Sequence, residues 1–292
     1  MYLHMHESSP LRLHVNHATR LLADAGVDAP RLSARILAGH ALGISKLELI
    51  CRAEEPLSPS QRKSYEALVA RRVAGEPVAY ITGTREFFGR DFAVTPATLI
   101  PRPETEHLVE AALEHLPEHG VRFADGGTGT GCIAVTLSAE RPAWRGVMLD
   151  ISAEALAVAV ANARRHGASA RLSPVQADFA ALPLRAGSLD LLISNPPYVT
   201  GPEYAGLSPE VRDYEPRAAL TPDAPGLRHL RLLIRAAGRL LRPGGLLLLE
   251  HGCDQGDAVL QMLREGRFGE NARTGRDLAG RERFCLAYNS LK

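Results

Sequence analysis

The sequence predicts an α/β protein, a Rossmann-like domain on a mostly parallel sheet preceded by a small all-α helical bundle. Three observations carry that reading. After Gly120 the hydrophobic pattern alternates strand, helix, strand, helix, which calls for parallel strands joined by crossover helices. Leu189, Leu191, Leu192 and Ile193 make the near-continuous apolar run of a strand buried on both faces. Before about Gly75 only short amphipathic helical patterns occur, punctuated by helix starts and stops. A chain of 292 residues with 45% hydrophobic content has the length and core for two domains.

In chain order, Val15, Ala18, Leu21, Leu22 and Ala25 share one face of a first helix that Gly26 stops. Arg31 to Leu42 is a second, ending at Gly43. Ser45-Lys46-Leu47-Glu48 and Ser58-Pro59-Ser60-Gln61 are capping boxes for a third and a fourth, with Pro59 in the favoured first position. Tyr65, Leu68, Val69 and Val73 form the stripe of the last. Nothing here gathers catalytic groups, so residues 1–77 are assigned to partner docking. Residues 78–98, with Tyr80, Ile81, Phe87, Phe88 and Phe92 spaced by Gly83 and Gly89, are expected as a β-hairpin linker.

Residues 99–292 form the third segment, the catalytic one. Arg102 lies between Pro101 and Pro103, whose fixed φ aims its guanidinium; the plainer reading of this stretch is an acidic helix N-terminus. The expected strands are Val121–Asp125, Gly146–Asp150, Arg171–Val175, Leu189–Ser194 and Leu246–Glu250, with two more near Arg267 and over Glu282–Tyr288. Ser152 caps the helix that Gly167 ends, Leu227 to Leu241 is helical, and Pro243-Gly244-Gly245 reads as a turn.

Bulk properties exclude several classes. A formal net charge of +1 exerts no broad pull on nucleic acid or acidic lipid. The four cysteines, Cys51, Cys132, Cys253 and Cys285, form no CxxC pair, which fits a reducing compartment. His115 and His119 straddle Pro117 without a completing acid, so no metal site is expected. Met1 to Pro10, with His4 and His6, lacks an apolar core, and no run approaches the ~18 residues of a membrane span. The expectation is a cytoplasmic protein.

The chemistry gathers at strand ends. Gly126-Gly127-Thr128-Gly129-Thr130-Gly131 follows the first strand, with Asp150 about 20 residues on, as a dinucleotide or an S-adenosylmethionine site requires. Asp150 would accept from both ribose hydroxyls; Asp178 would accept from the adenine amino group, with Phe179 against the ring. The fourth strand end, Asn195-Pro196-Pro197-Tyr198, separates the two. Its plain structural reading is a proline turn. A dehydrogenase needs a proton donor there, whereas a carboxamide, proline carbonyls and an aromatic face suit a planar group bearing NH2. That geometry moves a methyl group onto nitrogen.

Asp125 to Gly131, Asp150, Asp178 and Asn195-Pro196-Pro197-Tyr198 together resemble class I S-adenosylmethionine-dependent N-methyltransferases, which implies a seven-stranded sheet. Leu99-Ile100-Pro101-Arg102-Pro103-Glu104-Thr105-Glu106, Val211 to Leu220 and Leu249-Glu250-His251-Gly252 are similar to the release factor glutamine methyltransferases, the PrmC/HemK family. The resemblance runs from the helical segment to about Tyr288. It implies transfer from S-adenosyl-L-methionine, with S-adenosyl-L-homocysteine as product. The acceptor it implies is side-chain N5 of the Gly-Gly-Gln glutamine in class 1 peptide chain release factors. The alternative is an N6-adenine methyltransferase acting on DNA or RNA, which shares the Asn-Pro-Pro-Tyr element.

The cofactor residues so implied are Asp125, Gly127, Thr128, Gly129, Thr130, Gly131, Asp150, Asp178, Phe179 and Asn195. Asn195, Pro196, Pro197, Tyr198 and Arg102 would meet the substrate, with Asn195, Pro196 and Tyr198 catalytic. Two roles fit Asp125: orienting the turn, or meeting the methionine ammonium. Gly126 stands where the family carries a branched apolar residue, which should loosen packing under the turn; Phe179 stands where many members have Trp.

Overall fold

In the computed structural model the described residues are 9–222, 226–266 and 268–290, so His4, His6 and Arg267 lie outside them. The chain divides into two compact units, residues 1–83 with 209–214, and residues 84–208 with 215–292.

The first unit holds α1 (Leu11–Asp24), α2 (Pro30–Leu42), α3 (Lys46–Cys51), α4 (Pro59–Val73) and α5 (Val78–Thr82). Both capping boxes form, Ser45 with Glu48 and Ser58 with Gln61. The buried face of α1 is Leu11, His14, Ala18 and Leu22, the 3.6-residue stripe, while Leu21 and Ala25 are exposed. These side chains pack on Leu37, Ala38, Tyr65, Val69 and Ile81, and the Tyr65 hydroxyl donates to the Ala34 carbonyl at 2.9 Å. Beyond Gly83 the stretch Pro209–Tyr214 clusters with this unit: Glu210 pairs with the buried Arg72, and the Tyr214 hydroxyl donates to Ala74 O at 2.9 Å. The expected linker 78–98 does not stand apart, because its first residues are α5 and the rest falls in the second unit.

The second unit opens with a hairpin, β1 (Thr84–Phe87) and β2 (Arg90–Ala93). Its two-residue turn puts Phe88 and Gly89 at φ 51° and 72°, the primed geometry hairpins favour. The Phe88 N–H donates to Glu106 Oε1 at 2.9 Å, which holds a non-glycine residue there. Then come α6 (Glu106–His115), β3 (Arg122–Gly126), α7 (Cys132–Glu140), β4 (Arg145–Asp150), α8 (Ala153–Arg165), β5 (Leu172–Gln176) and β6 (Leu189–Ser194). The short helices α9 (Gly201–Ala205) and α11 (Arg217–Leu220) follow; between them in sequence, α10 (Pro209–Arg212) belongs to the first unit. The second unit closes with α12 (Arg228–Leu240), β7 (Leu241–Glu250), α13 (Gly256–Glu265), β8 (Arg273–Arg276) and β9 (Glu282–Tyr288).

The seven strands order as β5-β4-β3-β6-β7-β9-β8, parallel except for β9, which runs against both neighbours. Alternate residues feed two apolar layers. Phe123, Met148, Leu191, Ile193, Leu246 and Leu248 pack with α6, α7 and α8 on one face; Ala124, Leu149, Leu192, Leu247 and Leu249 pack with α12 and α13 on the other. Pro174 is tolerated in β5 because that strand is an edge. Pro243-Gly244-Gly245 is not a turn between elements. It lies inside β7, where the ladder with β6 jumps from the Leu189–Leu241 pair to Leu191–Leu246 and the extra residues bulge out. The sixth strand lies beyond Arg267, at Arg273–Arg276.

Strand order reverses between β3 and β6, so the ligand crevice of such a sheet falls outside their carboxyl ends. Register decides what meets there. Gly126 pairs with Ser194, Leu149 with Gly126, and Ser194 with Leu249. One edge therefore carries the glycine turn, Asp150, Asn195 and Glu250.

Candidate active site

The glycine turn is a wound backbone with Gly127, Gly129 and Gly131 at φ 66°, 54° and 77°, which side-chain-bearing residues adopt at a cost. A Cβ on Gly131 would also sit 3.1 Å from Ala159 Cβ on α8. The Thr128 N–H donates to Leu149 O at 2.8 Å, and Asn162 Nδ2 on α8 donates to Thr130 O at 2.9 Å. Beneath the turn lies Asp125, fully buried. Its Oδ2 accepts from Thr128 Oγ1 at 2.6 Å and from the Ala134 N–H at 3.3 Å, so it does orient the turn. Its Oδ1 has no partner among the described residues, and burial pushes its pKa up to about 7. A buried carboxylate oxygen without a donor is unfavourable by itself and suits a ligand cation.

Asp150, at the end of β4, accepts from the Gly129 N–H through Oδ2 and from the Ser152 N–H through Oδ1, each at 2.9 Å. Each oxygen keeps a lone pair for a diol. Asp178 is exposed and caps the short turn Phe179–Ala181 through Ala180 N at 2.8 Å. The Phe179 ring lies over the glycines, edge-on to His229 with centroids 5.5 Å apart. The space at Gly126 is not loose: a Cβ there would meet Phe179 Cε1 at 3.3 Å, Leu233 Cδ2 at 3.4 Å and Ser194 Oγ at 3.5 Å. The expected loosening is corrected, because the aromatic ring and Leu233 fill what a branched residue would occupy.

At the end of β6, Asn195 Nδ2 donates to Thr105 Oγ1 at 3.0 Å, and that hydroxyl donates to Glu250 Oε2 at 2.7 Å. Glu250 Oε1 accepts from the Tyr198 hydroxyl at 3.2 Å, while Gln255 Nε2 donates to the Tyr198 carbonyl at 3.0 Å. Asn195 Oδ1 and the Pro196 carbonyl accept no hydrogen bond among the described residues. Arg102 donates to Glu215 Oε1 at 2.6 Å; Glu215 is buried and its other oxygen accepts from the Ile100 N–H at 3.0 Å. Sequence reasoning assigned no role to Thr105, Glu215 or Glu250. The available signal was an acid closing an apolar strand in Leu249-Glu250, the same signal that marked Asp150. Cys132 is buried with its thiol pushed up to about 12 by desolvation, as a packing residue would be. Both ring nitrogens of His115 are engaged, with Ala111 O and Arg273. No described helix is long and apolar enough to cross a membrane.

A family model described as the PrmC N-terminal domain matches residues 15–83, and one described as the methyltransferase small domain matches residues 106–207. A protein of Nitratidesulfovibrio vulgaris named release factor glutamine methyltransferase is 52% identical over 278 residues, 95% of this chain and 94% of its own. One of the same name from Moorella thermoacetica is 46% identical over 279 residues, 95% of this chain and 98% of its own. A solved methyltransferase from Pyrococcus furiosus shares the fold, with a TM-score of 0.52 at 18% identity over 76% of this chain and 98% of its own. With about half of its residues shared along nearly its whole length, the chain belongs to the release factor glutamine methyltransferase family.

Proposed function

We propose that this enzyme transfers a methyl group from S-adenosylmethionine to N5 of the glutamine in the Gly-Gly-Gln motif of peptide chain release factors, and so modulates translation termination. The observation that carries the reading is a pair of uncommitted acceptors, Asn195 Oδ1 and the Pro196 carbonyl, beside the glycine turn. A primary amide offers two N–H donors to such a pair. The release factor names of the relatives support the substrate class.

The residues fit the cofactor. Asp125 Oδ1 suits the ammonium, the turn Gly127–Gly131 lets backbone approach, Asp150 suits the ribose, and Asp178 with Phe179 suits the adenine. When bound, S-adenosylmethionine supplies an electrophilic methyl and leaves as S-adenosylhomocysteine. The chain's own contribution is positioning and electrostatics, since no strong base among the described residues faces the corner. Asn195 and Pro196 would hold both amide hydrogens and favour a pyramidal nitrogen; Tyr198 and Pro197 would wall the flat amide. Arg102, held by Glu215, would meet the substrate chain. The helical unit would dock the release factor in the cytoplasm, with no nucleic acid required.

The test is transfer of label from methyl-labelled S-adenosylmethionine to a purified release factor, to its Gly-Gly-Gln→Gly-Gly-Ala variant and to duplex DNA. Label on the native factor alone is expected. Label on DNA would move the assignment to adenine methylation.

A further inference from the structure

Asparagine works as an acceptor toward substrate only if its oxygen faces the substrate and its NH2 does not. The two orientations have the same shape, so hydrogen bonding must choose between them. The partner of the inner end is Thr105 Oγ1, and a hydroxyl can donate or accept. Thr105 is itself committed by Glu250: its proton goes to Oε2 at 2.7 Å, so toward Asn195 it can only accept. The second oxygen of the same carboxylate fixes the Tyr198 hydroxyl. One buried acid thus stands behind both polar members of Asn-Pro-Pro-Tyr.

We infer that Glu250, acting through Thr105, is a positioning residue that holds the Asn195 carboxamide oxygen toward the incoming amide and sets Tyr198 beside it. The inference rests on the amide-methylation reading for its consequence in turnover, but the orientation of Asn195 is a property of the free protein. An ionised carboxylate accepts from both hydroxyls. A protonated one must donate through one oxygen. If that oxygen faces Thr105, the hydroxyl there reverses and Asn195 presents the wrong end.

The groups facing Glu250 are few. Glu104 and Thr105 stand before α6, Tyr198 follows β6, Arg283 is on β9 and Cys132 starts α7. Burial and Glu104 raise the Glu250 pKa to about 7, against the opposing pull of Thr105, Tyr198 and Arg283. Ionisation of this acid therefore falls in the range where the enzyme can be assayed on both sides.

Glu250→Gln keeps the shape but replaces one acceptor by a donor, and Thr105→Val removes the hydroxyl. Each is expected to lower kcat by about 10- to 100-fold through a misplaced reacting group, with S-adenosylhomocysteine affinity retained. The double variant should fall no further than the worse single one, because both break one relay. Thr105→Ser should recover most of what Thr105→Val loses. At saturating cofactor, wild-type kcat should rise with pH through about 7, and Glu250→Gln should lack that rise.

A second readout needs neither cofactor nor substrate. With 15N-asparagine labelling, the Asn195 side-chain signals should shift with pH in the wild type and stay fixed in Glu250→Gln. A kcat within about twofold of wild type in both single variants would overturn the inference, as would a loss confined to cofactor affinity. Identical Asn195 titrations in wild type and Glu250→Gln would overturn it too, and Thr105→Val decides the case if Glu250→Gln does not fold. Absence of label on the release factor would instead sink the methylation reading, with the Asn195 signals still deciding this one.

Discussion

Two buried carboxylates frame the crevice, and they are finished differently. Asp125 and Glu250 are both raised to about 7 by burial, one under the glycine turn and one behind Asn195. Glu250 has both oxygens bonded, to Thr105 and to Tyr198. Asp125 has one oxygen bonded and one without a donor. A satisfied buried acid is internal scaffolding; an unsatisfied one holds a place for charge that arrives from outside. The prediction is a division of labour. Changes on the Glu250 side should appear in turnover, and changes on the Asp125 side in cofactor affinity.

The largest expected effect is at the end of the Glu250 relay. Asn195→Ala deletes the acceptor that Thr105 and Glu250 hold in place, and should lower kcat on a release factor by about 10²- to 10³-fold. Calorimetry with S-adenosylhomocysteine should show affinity near wild type. Equal loss of turnover and affinity would break the division and put Asn195 in the cofactor site.

Next in size is Asp125→Asn. It should weaken cofactor binding by about 10- to 100-fold, the worth of a charge-assisted hydrogen bond. The sign with pH follows from the raised pKa. Below pH 7 the free protein holds a proton on Asp125 that an incoming ammonium displaces. Wild-type affinity should therefore climb as pH rises to about 7 and level off, with proton release measurable in buffers of different ionisation enthalpy. Asp125→Asn should bind with neither the climb nor the release. In the absence of cofactor, the same raised pKa makes Asp125 a burden on the fold that is full above about pH 7 and fades only as pH falls toward the ordinary carboxylate range. Asp125→Asn should then raise Tm relative to wild type at pH 8, with the difference shrinking by pH 6.

The contrast also separates what was legible in the sequence from what was not. The glycine turn, Asp150 and Asn-Pro-Pro-Tyr could be placed because each is a local constraint: a positive φ, an acid ending a strand, a proline corner. Helix caps at Ser45, Ser58 and Ser152 were legible for the same reason. The Thr105–Glu250 contact joins residues 145 apart, and Arg102–Glu215 joins residues 113 apart. Such pairs are made by sheet register and loop closure, which no local pattern encodes. The bulge that keeps Pro243 to Gly245 inside β7 is likewise decided by pairing with β6. Asp125 was legible as a residue but not as a half-satisfied one, because that depends on Thr128 and Ala134 reaching one oxygen and no described residue reaching the other.

The smallest expected effect concerns the residue that follows Asp125. Gly126 follows Asp125 on β3, and the space a Cβ would take there is already occupied by Phe179, Leu233 and Ser194. Gly126→Leu should therefore overpack the site and cost about 1–2 kcal/mol of stability, read from urea unfolding. Loose packing predicts the opposite sign, since an unfilled space would gain from added apolar volume. Gly126→Leu combined with Phe179→Ala gives the new side chain room, so the pair should recover stability while losing the aromatic face proposed for the adenine. Recovered stability with weakened cofactor affinity would show that the ring serves the ligand and the glycine serves the ring. A stabilised single variant would return the turn to the looser packing expected from its sequence.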